Sequence, residues 1–336
     1  MKIAMLISGG VDSSVSLRLL QEQGHDITAF YLKIWLEDEM SFLGECPWED
    51  DLSYATQVCR EADVPLEVVP FQKEYWERIV SYTIDEVKRG HTPNPDVLCN
   101  TRVKFGAFYE YLMSRDETIP FEKIASGHYA QTEMIDGVAY LKRSPDETKD
   151  QTYFLSQLSQ PQVAMALFPI GGLQKPAVRA LAEKFKLPNA KRKDSQGLCF
   201  LGKIRFDAFV KFHLGTKIGD MIDCETKEKM GEHEGFWYYT IGQRKGIGLS
   251  GGPWYVVDKD IEKNIVYISN SYRSEETARS AFEVNGLNWI SENPLQVPRL
   301  MDKKLQVKVR HGATMYPCEI EPVGDEKLKV RIDGYD

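Results

Sequence analysis

A glycine-rich segment directly behind an apolar run constrains the fold of this chain more than any other feature. Residues 3–7 are typical of a buried parallel strand, and residues 13–23 have the apolar spacing of a helix. The segment 8–14, Ser-Gly-Gly-Val-Asp-Ser-Ser, therefore connects a strand to a helix. Its glycines permit a sharp turn and close approach of a ligand, and the amide groups at a helix start favour an anion. The sequence predicts a phosphate-binding loop.

This loop differs from the Walker phosphate-binding loop. It lacks the Gly-Lys-Ser/Thr ending, and no lysine within the motif reaches toward a terminal phosphate. The alternative that the motif alone leaves open is an ordinary glycine turn at the end of a strand.

Strands and helices alternate along the first part of the chain. We expect strands at 3–7, 27–34, 66–69 and 123–126, and helices at 13–23, 52–62, 74–89 and 102–113. This order predicts an α/β fold with a doubly wound parallel sheet, in which ligands lie beyond the carboxyl ends of the strands. The acidic segment 37–51, which carries Cys46, is expected to be a long loop near that edge.

The second half of the chain has a different pattern. A hairpin is predicted at 131–142, with a type I′ turn at Asp136 and Gly137, and helices follow at 175–185 and 205–213. Beyond them, short β-rich runs alternate with Gly, Asp and Asn turns. We therefore predict a catalytic domain at 1–204, a small central domain at 205–272 and a C-terminal β-barrel-like domain at 273–336.

The composition indicates a globular, soluble protein. Hydrophobic residues make up 42% and charged residues 27% of the chain, no 18-residue apolar span occurs, and no signal-like leader precedes the first strand. We therefore expect a cytoplasmic protein with no membrane contact. The net charge of −8 argues against wholesale coating by nucleic acid, but residues 175–217 hold eleven Lys or Arg against three Asp or Glu. This basic block is either an RNA-contacting surface or a solvated basic face.

The six cysteines have neither Cys-x-x-Cys pairs nor zinc-type spacing, so we predict no metal site and no disulfide framework. Cys99 follows two prolines and lies near the expected start of a helix, where the pKa of a thiol is lowered. Asp96 is near enough in sequence to move a proton, and its charge would oppose thiolate formation. A buried, inert cysteine is the alternative.

Three further segments carry candidate functional groups. Gly127 and His128 follow the fourth predicted strand, and the histidine either contacts phosphate or RNA or is satisfied by the backbone. The polar segment Lys149-Asp150-Gln151 precedes an apolar run. Cys199 lies between glycines in the basic block, a setting that suits a reactive thiol.

These motifs occur together in one known family. They are SGGVDSS at 8–14, NPDVLCN around Cys99, SGHYA around His128, KDQTYFL from Lys149, DSQGLCFLG around Cys199 and GQRKG at 242–246. With these motifs in this order and spacing, the sequence resembles, along almost its whole length, the tRNA-specific 2-thiouridylases, the MnmA/TrmU family of the PP-loop ATP pyrophosphatases. The resemblance implies an adenine nucleotide alpha-hydrolase-like fold. It also implies use of ATP and Mg²⁺ to adenylate the C2 oxygen of the wobble uridine, position 34, in tRNAs for Lys, Glu and Gln, after which sulfur replaces that oxygen.

The resemblance also implies roles for particular residues. Cys199 would carry a persulfide, Cys99 would be the nucleophile that attacks or releases its sulfur, and Asp96 would be the acid or base. A thiol reductant would clear the resulting Cys99–Cys199 disulfide. The implied ATP contacts are Leu6, Ile7, Ser8, Gly9, Gly10, Val11, Asp12, Ser13, Leu32 and Gly127. The implied tRNA contacts are Asn94, Pro95, Asp96, His128, Lys149, Asp150, Gln151, Arg310 and His311. The implied sulfur donor is a persulfide-donating cysteine desulfurase or a sulfur-relay protein.

The sequence departs from the family pattern at two places. Leu32 stands where relatives commonly have methionine, and the chain ends at Asp336 without the closing PGQ-type segment. We therefore expect a tRNA-contacting glutamine to be absent and tRNA affinity to suffer more than catalysis. Two other functions fit parts of the sequence. One is a PP-loop ligase with a small-molecule substrate, for which both cysteines are dispensable, and the other is a non-enzymatic RNA-binding protein with a vestigial loop.

Overall fold

The computed structural model describes residues 1–34, 48–116, 118, 120–194, 206–270, 280–292, 304–324 and 326–334. Two of the predicted features, the loop around Cys46 and the persulfide carrier Cys199, lie outside these residues. Within the described residues, no helix is both long and apolar enough to span a membrane.

A five-stranded parallel sheet forms the centre of the N-terminal part of the chain. The strands of this part are β1 (Lys2–Leu6), β2 (Asp26–Lys33), β3 (Leu66–Pro70), β4 (Lys123–Ala125), β5 (Ala130–Ile135), β6 (Val138–Arg143) and β7 (Ala166–Leu167). The sheet has the order β3-β2-β1-β4-β7, and all its neighbouring strands are parallel. Strands β5 and β6 form a separate antiparallel hairpin.

Helices cover both faces of this sheet. They are α1 (Val11–Glu22), α2 (Trp48–Glu61), α3 (Gln72–Tyr75, Trp76–Val80 and Ser81–Lys88), α4 (Pro95–Leu98, Cys99–Ala107 and Phe108–Met113), α5 (Gln160–Met165) and α6 (Lys175–Lys184). Alternate residues of β1 enter two separate cores: Ala4 packs with residues of α3 and α4, and Met5 packs with residues of α1, α2 and α6. The predicted doubly wound α/β fold is confirmed.

Two predicted helix starts are wrong. Helix α2 begins at Trp48 instead of residue 52, so the last residues of the predicted acidic loop are helical. Helix α4 begins at Pro95 instead of residue 102. The reason lies in the cap, because the Asn94 side chain accepts a hydrogen bond from the Val97 amide at 3.4 Å and proline is favoured at the first helical position. Cys99 consequently lies inside the helix.

The predicted hairpin is confirmed, including its turn. Strands β5 and β6 pair from Ala130 to Ile135, and Asp136 and Gly137 have φ values of 50° and 81°. Two consecutive positive φ values are what a type I′ turn requires.

The described residues between 206 and 334 form two smaller sheets, which match the predicted β-rich pattern. Their elements are α7 (Phe206–Leu214), β8 (Gly219–Asp223), β9 (Lys229–His233), β10 (Tyr255–Asp260), β11 (Ile265–Ser269), β12 (Ala281–Asn285), β13 (Leu305–Val307), β14 (Tyr316–Val323) and β15 (Lys327–Ile332). The first sheet has the order β10-β11-β8-β9 and encloses its own core around Met221, Val256 and Val266. The second is antiparallel with the order β12-β15-β14-β13.

Both smaller sheets are attached to the N-terminal part by hydrogen bonds to backbone carbonyls. The Lys259 ammonium donates to the Gly90 carbonyl at 2.6 Å, at the segment that leads into α4. The Asn288 amide donates to the carbonyls of Ser156 and Leu158 at 2.9 and 3.0 Å. These contacts hold both sheets against the elements that carry the candidate site.

Candidate functional site

The glycine-rich loop lies at the carboxyl end of β1 and leads into α1, as the sequence predicts. Gly9 has φ +71°, and a Cβ at that position would overlap the Asp51 carbonyl. Gly127, just beyond β4, approaches so closely that a Cβ would lie 2.7 Å from the Ser13 amide nitrogen. Only glycine fits at both positions, because each lies directly against backbone.

The start of α1 is suited to an anion. The first amides of a helix have no partner within the helix, and the N-cap residue of α1, Gly10, has no side chain that could cap them. The Ser13 hydroxyl donates to the Gly10 carbonyl at 3.0 Å and lies 3.3 Å from the Ser8 amide, which fixes the curve of the loop. The residues present therefore fit the phosphate end of a nucleotide.

A polar layer behind the loop holds its backbone. The buried Asn189 amide donates to the Gly9 carbonyl at 2.8 Å and to the Ser14 hydroxyl at 2.9 Å. The Arg192 guanidinium donates to the same Gly9 carbonyl at 3.1 Å and forms an ion pair with Asp51. No sequence motif predicts these partners, although Arg192 belongs to the basic block at 175–217.

A cluster of charges joins the loop to distant parts of the chain. The Lys175 ammonium lies 2.8 and 2.9 Å from the two Asp12 carboxylate oxygens and 2.7 Å from Asp194. Asp194 also pairs with Lys149 at 2.7 Å and Arg179 at 2.6 Å. Although partial burial acts to raise it, the pKa of the Asp194 carboxyl is lowered to about 2 by hydrogen bonds from Lys149 and Lys175. This part of the basic block is therefore a set of internal ion pairs, not the solvated face that the sequence left open.

Cys99 is buried, with 1% of its surface exposed. Burial raises the pKa of its thiol; the charge of Lys104 and a hydrogen bond with Tyr75 lower that pKa, while the charge of Asp96 raises it further. The expectation of a lowered thiol pKa is wrong for this state of the protein, because the desolvation of the thiolate outweighs any benefit of the helix start. The expected opposition by Asp96 is confirmed.

Contacts from the neighbour of Cys99 lead through Phe154 to His311, one of the predicted RNA-contacting residues. The Asn100 amide donates to the Phe154 carbonyl at 3.0 Å, and the Lys104 ammonium donates to the Asn100 amide oxygen at 3.0 Å. The Phe154 ring lies 4.6 Å from the His311 ring. A residue of the C-terminal sheet region thus comes close to the helix that carries Cys99.

His128 belongs to the same neighbourhood. Burial and the positive charge of Lys104 hold the pKa of its imidazole well below the usual value, so the ring is neutral at pH 7. Its Nδ1 lies 2.7 Å from the Ser126 hydroxyl, which replaces the backbone partner considered as an alternative. The His128 ring lies 5.8 Å from the Phe168 ring, which in turn lies 6.0 Å from the Phe105 ring of α4. Because Leu6 and Cys99 also share one buried core, the thiol and the loop lie in one region of the fold.

Hydrogen bonds connect the segment from Lys149 to Gln151 to neighbouring parts of the fold. Asp150 is 1% exposed and accepts hydrogen bonds from Thr152, Ser144 and the Lys308 ammonium, the last at 2.8 Å. These hydrogen bonds outweigh the effect of burial and lower the pKa of Asp150. The Gln151 side chain accepts a hydrogen bond from the Tyr129 amide at 3.0 Å. This segment is thus fixed between the parallel sheet and the C-terminal region.

The other residues predicted to contact ATP or tRNA differ in their exposure. Leu6, Ile7 and Val11 are buried, so only their backbone is available to a nucleotide, and Leu32 is half-buried. Asn94 caps helix α4 and Pro95 is buried in its first turn. Arg310 and His311 are exposed. Where the Cys199 thiol lies relative to Cys99 stays a prediction, because that residue is outside the described part of the chain.

Comparison with known proteins identifies the family. Residues 1–203 match the family model described as tRNA methyl transferase HUP domain, and residues 207–270 match the tRNA methyl transferase PRC-barrel domain. The chain is 46% identical to the tRNA-specific 2-thiouridylase MnmA of Parabacteroides distasonis over 97% of this chain and 89% of that protein. It belongs to the tRNA-specific 2-thiouridylase family.

Other members of the thiouridylase family are similarly close. MnmA 1 of Bacteroides thetaiotaomicron is 49% identical over 88% of this chain and 81% of its own. MnmA of Porphyromonas gingivalis is 47% identical over 87% and 80%. Among solved structures, the U34-tRNA thiolase NcsA from Methanococcus maripaludis aligns with a TM-score of 0.37 at 19% identity over 64% of this chain and 68% of that one, a similarity too low to bear on function.

Proposed function

We propose that this protein catalyses the ATP-dependent 2-thiolation of the wobble uridine of tRNA. The observation that carries the proposal is the convergence of the phosphate-binding loop with Cys99 and His128. Gly127, which precedes His128, packs against Ser13 of the loop, and Leu6, which leads into the loop, shares a buried core with Cys99. A nucleotide and a thiol can therefore act on one substrate group. The relatives named 2-thiouridylases support the same assignment.

In the first step, ATP bound at the loop activates the C2 oxygen of the uracil. The uracil C2 oxygen attacks the α-phosphate of ATP, AMP is transferred to that oxygen, and pyrophosphate leaves. The amides at the start of α1 stabilise the negative charge of the departing group. Mg²⁺ accompanies the ATP and neutralises part of its charge. The adenylated oxygen then departs with AMP when sulfur attacks C2.

The sulfur step uses the two cysteines. Cys199 carries a persulfide whose terminal sulfur is transferred to C2, directly or after release as sulfide, and Cys99 forms the bond to the remaining Cys199 sulfur. The resulting disulfide requires a thiol reductant for the next cycle. Asp96 is the acid or base that accepts or donates a proton in this step, since its charge affects the pKa of the nearby Cys99 thiol. Because that pKa is raised in the free protein, Cys99 becomes reactive only when the substrate changes its surroundings.

The tRNA must present its wobble base outside the anticodon stack. We assign contacts with the extruded base to Asn94, Pro95 and Asp96 at the start of α4. His128, the segment 149–151 and the exposed residues Arg310 and His311 would contact the RNA around it. His128 is neutral at pH 7, so it contributes a hydrogen bond or stacking and not a charge. The tRNAs for Lys, Glu and Gln, together with a desulfurase or sulfur-relay donor, complete the proposed reaction.

One reconstitution tests this function. Unmodified tRNA, ATP, Mg²⁺ and a persulfide donor are incubated with the protein, and 2-thiouridine is measured by nucleoside mass spectrometry. The wild type and the control variant Cys224→Ser should form product. This variant removes a partly exposed thiol directly after β8. Cys99→Ser and Cys199→Ser should not form product.

The same experiment separates the competing functions. Equal product from all four proteins would overturn the two-cysteine mechanism. Pyrophosphate release that needs no tRNA and no cysteine would indicate a ligase for a small molecule. Binding of tRNA that is unaffected by Asp12→Ala, without pyrophosphate release, would indicate a non-enzymatic RNA-binding protein.

A further inference from the structure

The anion-binding end of α1 carries an acidic side chain of its own. Asp12 is in the first helical turn, beside the amides that fit a phosphate. A carboxylate there repels a polyphosphate unless a cation lies between the two. The loop motif contains no lysine or arginine, so a side-chain cation at this place has to come from another part of the chain.

The fold brings a lysine to this position from the start of another helix. Lys175 is the first residue of α6, and its ammonium lies 2.8 and 2.9 Å from the two oxygens of Asp12. Its side chain is 13% exposed and lies over the Tyr129 ring, with the ammonium 5.8 Å from the ring centre. Its backbone amide is anchored by Asp146 at 2.9 Å, which fixes the point from which the side chain extends.

Each carboxylate that Lys175 contacts has another donor. Asp12 also accepts a hydrogen bond from the Tyr129 hydroxyl at 3.0 Å, and burial together with the charge of Asp12 raises the pKa of that hydroxyl, which keeps it protonated. Asp194 keeps its bonds to Lys149 and Arg179. Lys175 can therefore turn one N–H toward a new acceptor without leaving a carboxylate unpaired.

Within this network, Lys175 is the cation that contacts Asp12. The side chains of Lys149 and Arg179 pair with Asp194. The ammonium of Lys175 pairs with both Asp194 and Asp12, so it links the network to the start of α1.

We propose that Lys175 is a phosphate-binding residue of the ATP site: it neutralises Asp12 and donates to an oxygen of the pyrophosphate end of ATP. It supplies from α6 the cation that a Walker loop carries within its own motif. This inference rests on the proposed function, because it assumes that the loop binds ATP.

The test compares ligands with and without phosphate on the full chain. Equilibrium binding of ATP with Mg²⁺, of inorganic pyrophosphate and of adenosine is measured for the wild type, Lys175→Met and Lys175→Arg. Lys184→Met is the matched control, because Lys184 is on the same helix, is 63% exposed and pairs with Glu22 at 3.4 Å on the surface. A charge-assisted hydrogen bond corresponds to about ten- to a hundredfold in affinity.

We expect Lys175→Met to weaken binding of ATP and pyrophosphate by at least about tenfold and adenosine by less than about twofold. Lys175→Arg should restore most of the loss, and Lys184→Met should behave as the wild type. Unchanged binding of ATP and pyrophosphate, or an equal loss for adenosine, would overturn the proposal, since the second result indicates a purely structural role. A wild type that fails to bind ATP would instead overturn the proposed function.

A measurement on the wild type keeps the proposal testable if the variants do not fold. Acylation of each lysine by an amine-reactive reagent is followed by peptide mass spectrometry, with and without pyrophosphate. Pyrophosphate should slow acylation of Lys175 by at least about fivefold and leave Lys184 unchanged. Equal rates at Lys175 in the two samples would contradict the proposal.

Discussion

Lys308 and Asp150 form an ion pair of 2.8 Å across the boundary between the C-terminal sheet region and the parallel-sheet region. The two side chains are 9% and 0% exposed, so water does not screen the pair. Close by, the ring of His311 lies 4.6 Å from the ring of Phe154. The pair therefore fixes exposed residues proposed to contact tRNA beside the helix that carries Cys99.

Replacement of Lys308 tests this attachment. In Lys308→Met the buried Asp150 keeps its bonds to Ser144 and Thr152 but loses its closest cation, so we expect a loss of about 2–3 kcal/mol in the free energy of attachment. Hydrogen exchange of the amides at 152–155 should become faster, and tRNA affinity should fall. Lys327→Met, which changes an exposed lysine of β15, is the control. Exchange rates equal to those of the wild type would show that the pair does not hold the two regions together.

The close approach of Gly127 to α1 makes a second prediction. In Gly127→Ala the new Cβ would lie 2.7 Å from the Ser13 nitrogen and 2.9 Å from the Asp12 carbonyl carbon, and neither backbone atom can move away without shifting the loop. We expect a loss of roughly 1–3 kcal/mol in stability and at least a tenfold loss in ATP affinity. Gly172→Ala, where the nearest atom is 3.6 Å away, should change neither. Normal ATP binding by Gly127→Ala would disprove this account of the loop.

The lowered pKa of Asp194 should make the stability of the protein depend on pH. The folded pKa of Asp194, about 2, lies below the unfolded value of about 3.9, so its contribution is fully present above about pH 5 and is lost as the pH falls through 4 toward 2. Asp194→Asn should lower stability by roughly 1–3 kcal/mol at pH 7, because three cations lose their shared carboxylate.

Thermal unfolding of wild type and Asp194→Asn from pH 7 to pH 2.5 checks this dependence. The difference between their midpoints should be constant above about pH 5 and shrink below pH 4. The control Gly172→Ala, which changes no titratable group, should show a difference that does not vary with pH. A difference for Asp194→Asn that stays constant down to pH 2.5 would contradict the assignment of the shifted pKa to this group.

The thiol of Cys99 should be unreactive in the free protein. Burial raises its pKa, so little thiolate is present at pH 8 and the reagent cannot reach it. Alkylation by iodoacetamide, followed by peptide mass spectrometry, should modify the partly exposed Cys224 at least about tenfold faster than Cys99. In urea both thiols should react at similar rates. Rapid alkylation of native Cys99 would show that the thiol is already activated before substrate binds.

Features that depend on neighbouring residues were predictable from the sequence. The strand, loop and helix around residues 8–14 follow from an apolar run and two glycines, and the type I′ turn follows from Asp136 and Gly137. The start of α4 is harder to predict, because a segment with Asn94 and two prolines suits a loop as well as a capped helix start. The pKa of Cys99 was predicted in the wrong direction because the sequence places the thiol near a helix start but does not show its burial.

The sequence by itself determined the doubly wound fold, the anion-binding loop and, through the order of its motifs, the resemblance to the thiouridylases. Only the tertiary structure decided which charges meet, since Lys175 reaches Asp12 across 163 positions and Lys308 reaches Asp150 across 158. The physical reason is that hydrophobic periodicity and turn chemistry act over a few residues, whereas ion pairing and desolvation depend on distances in space that no local pattern records.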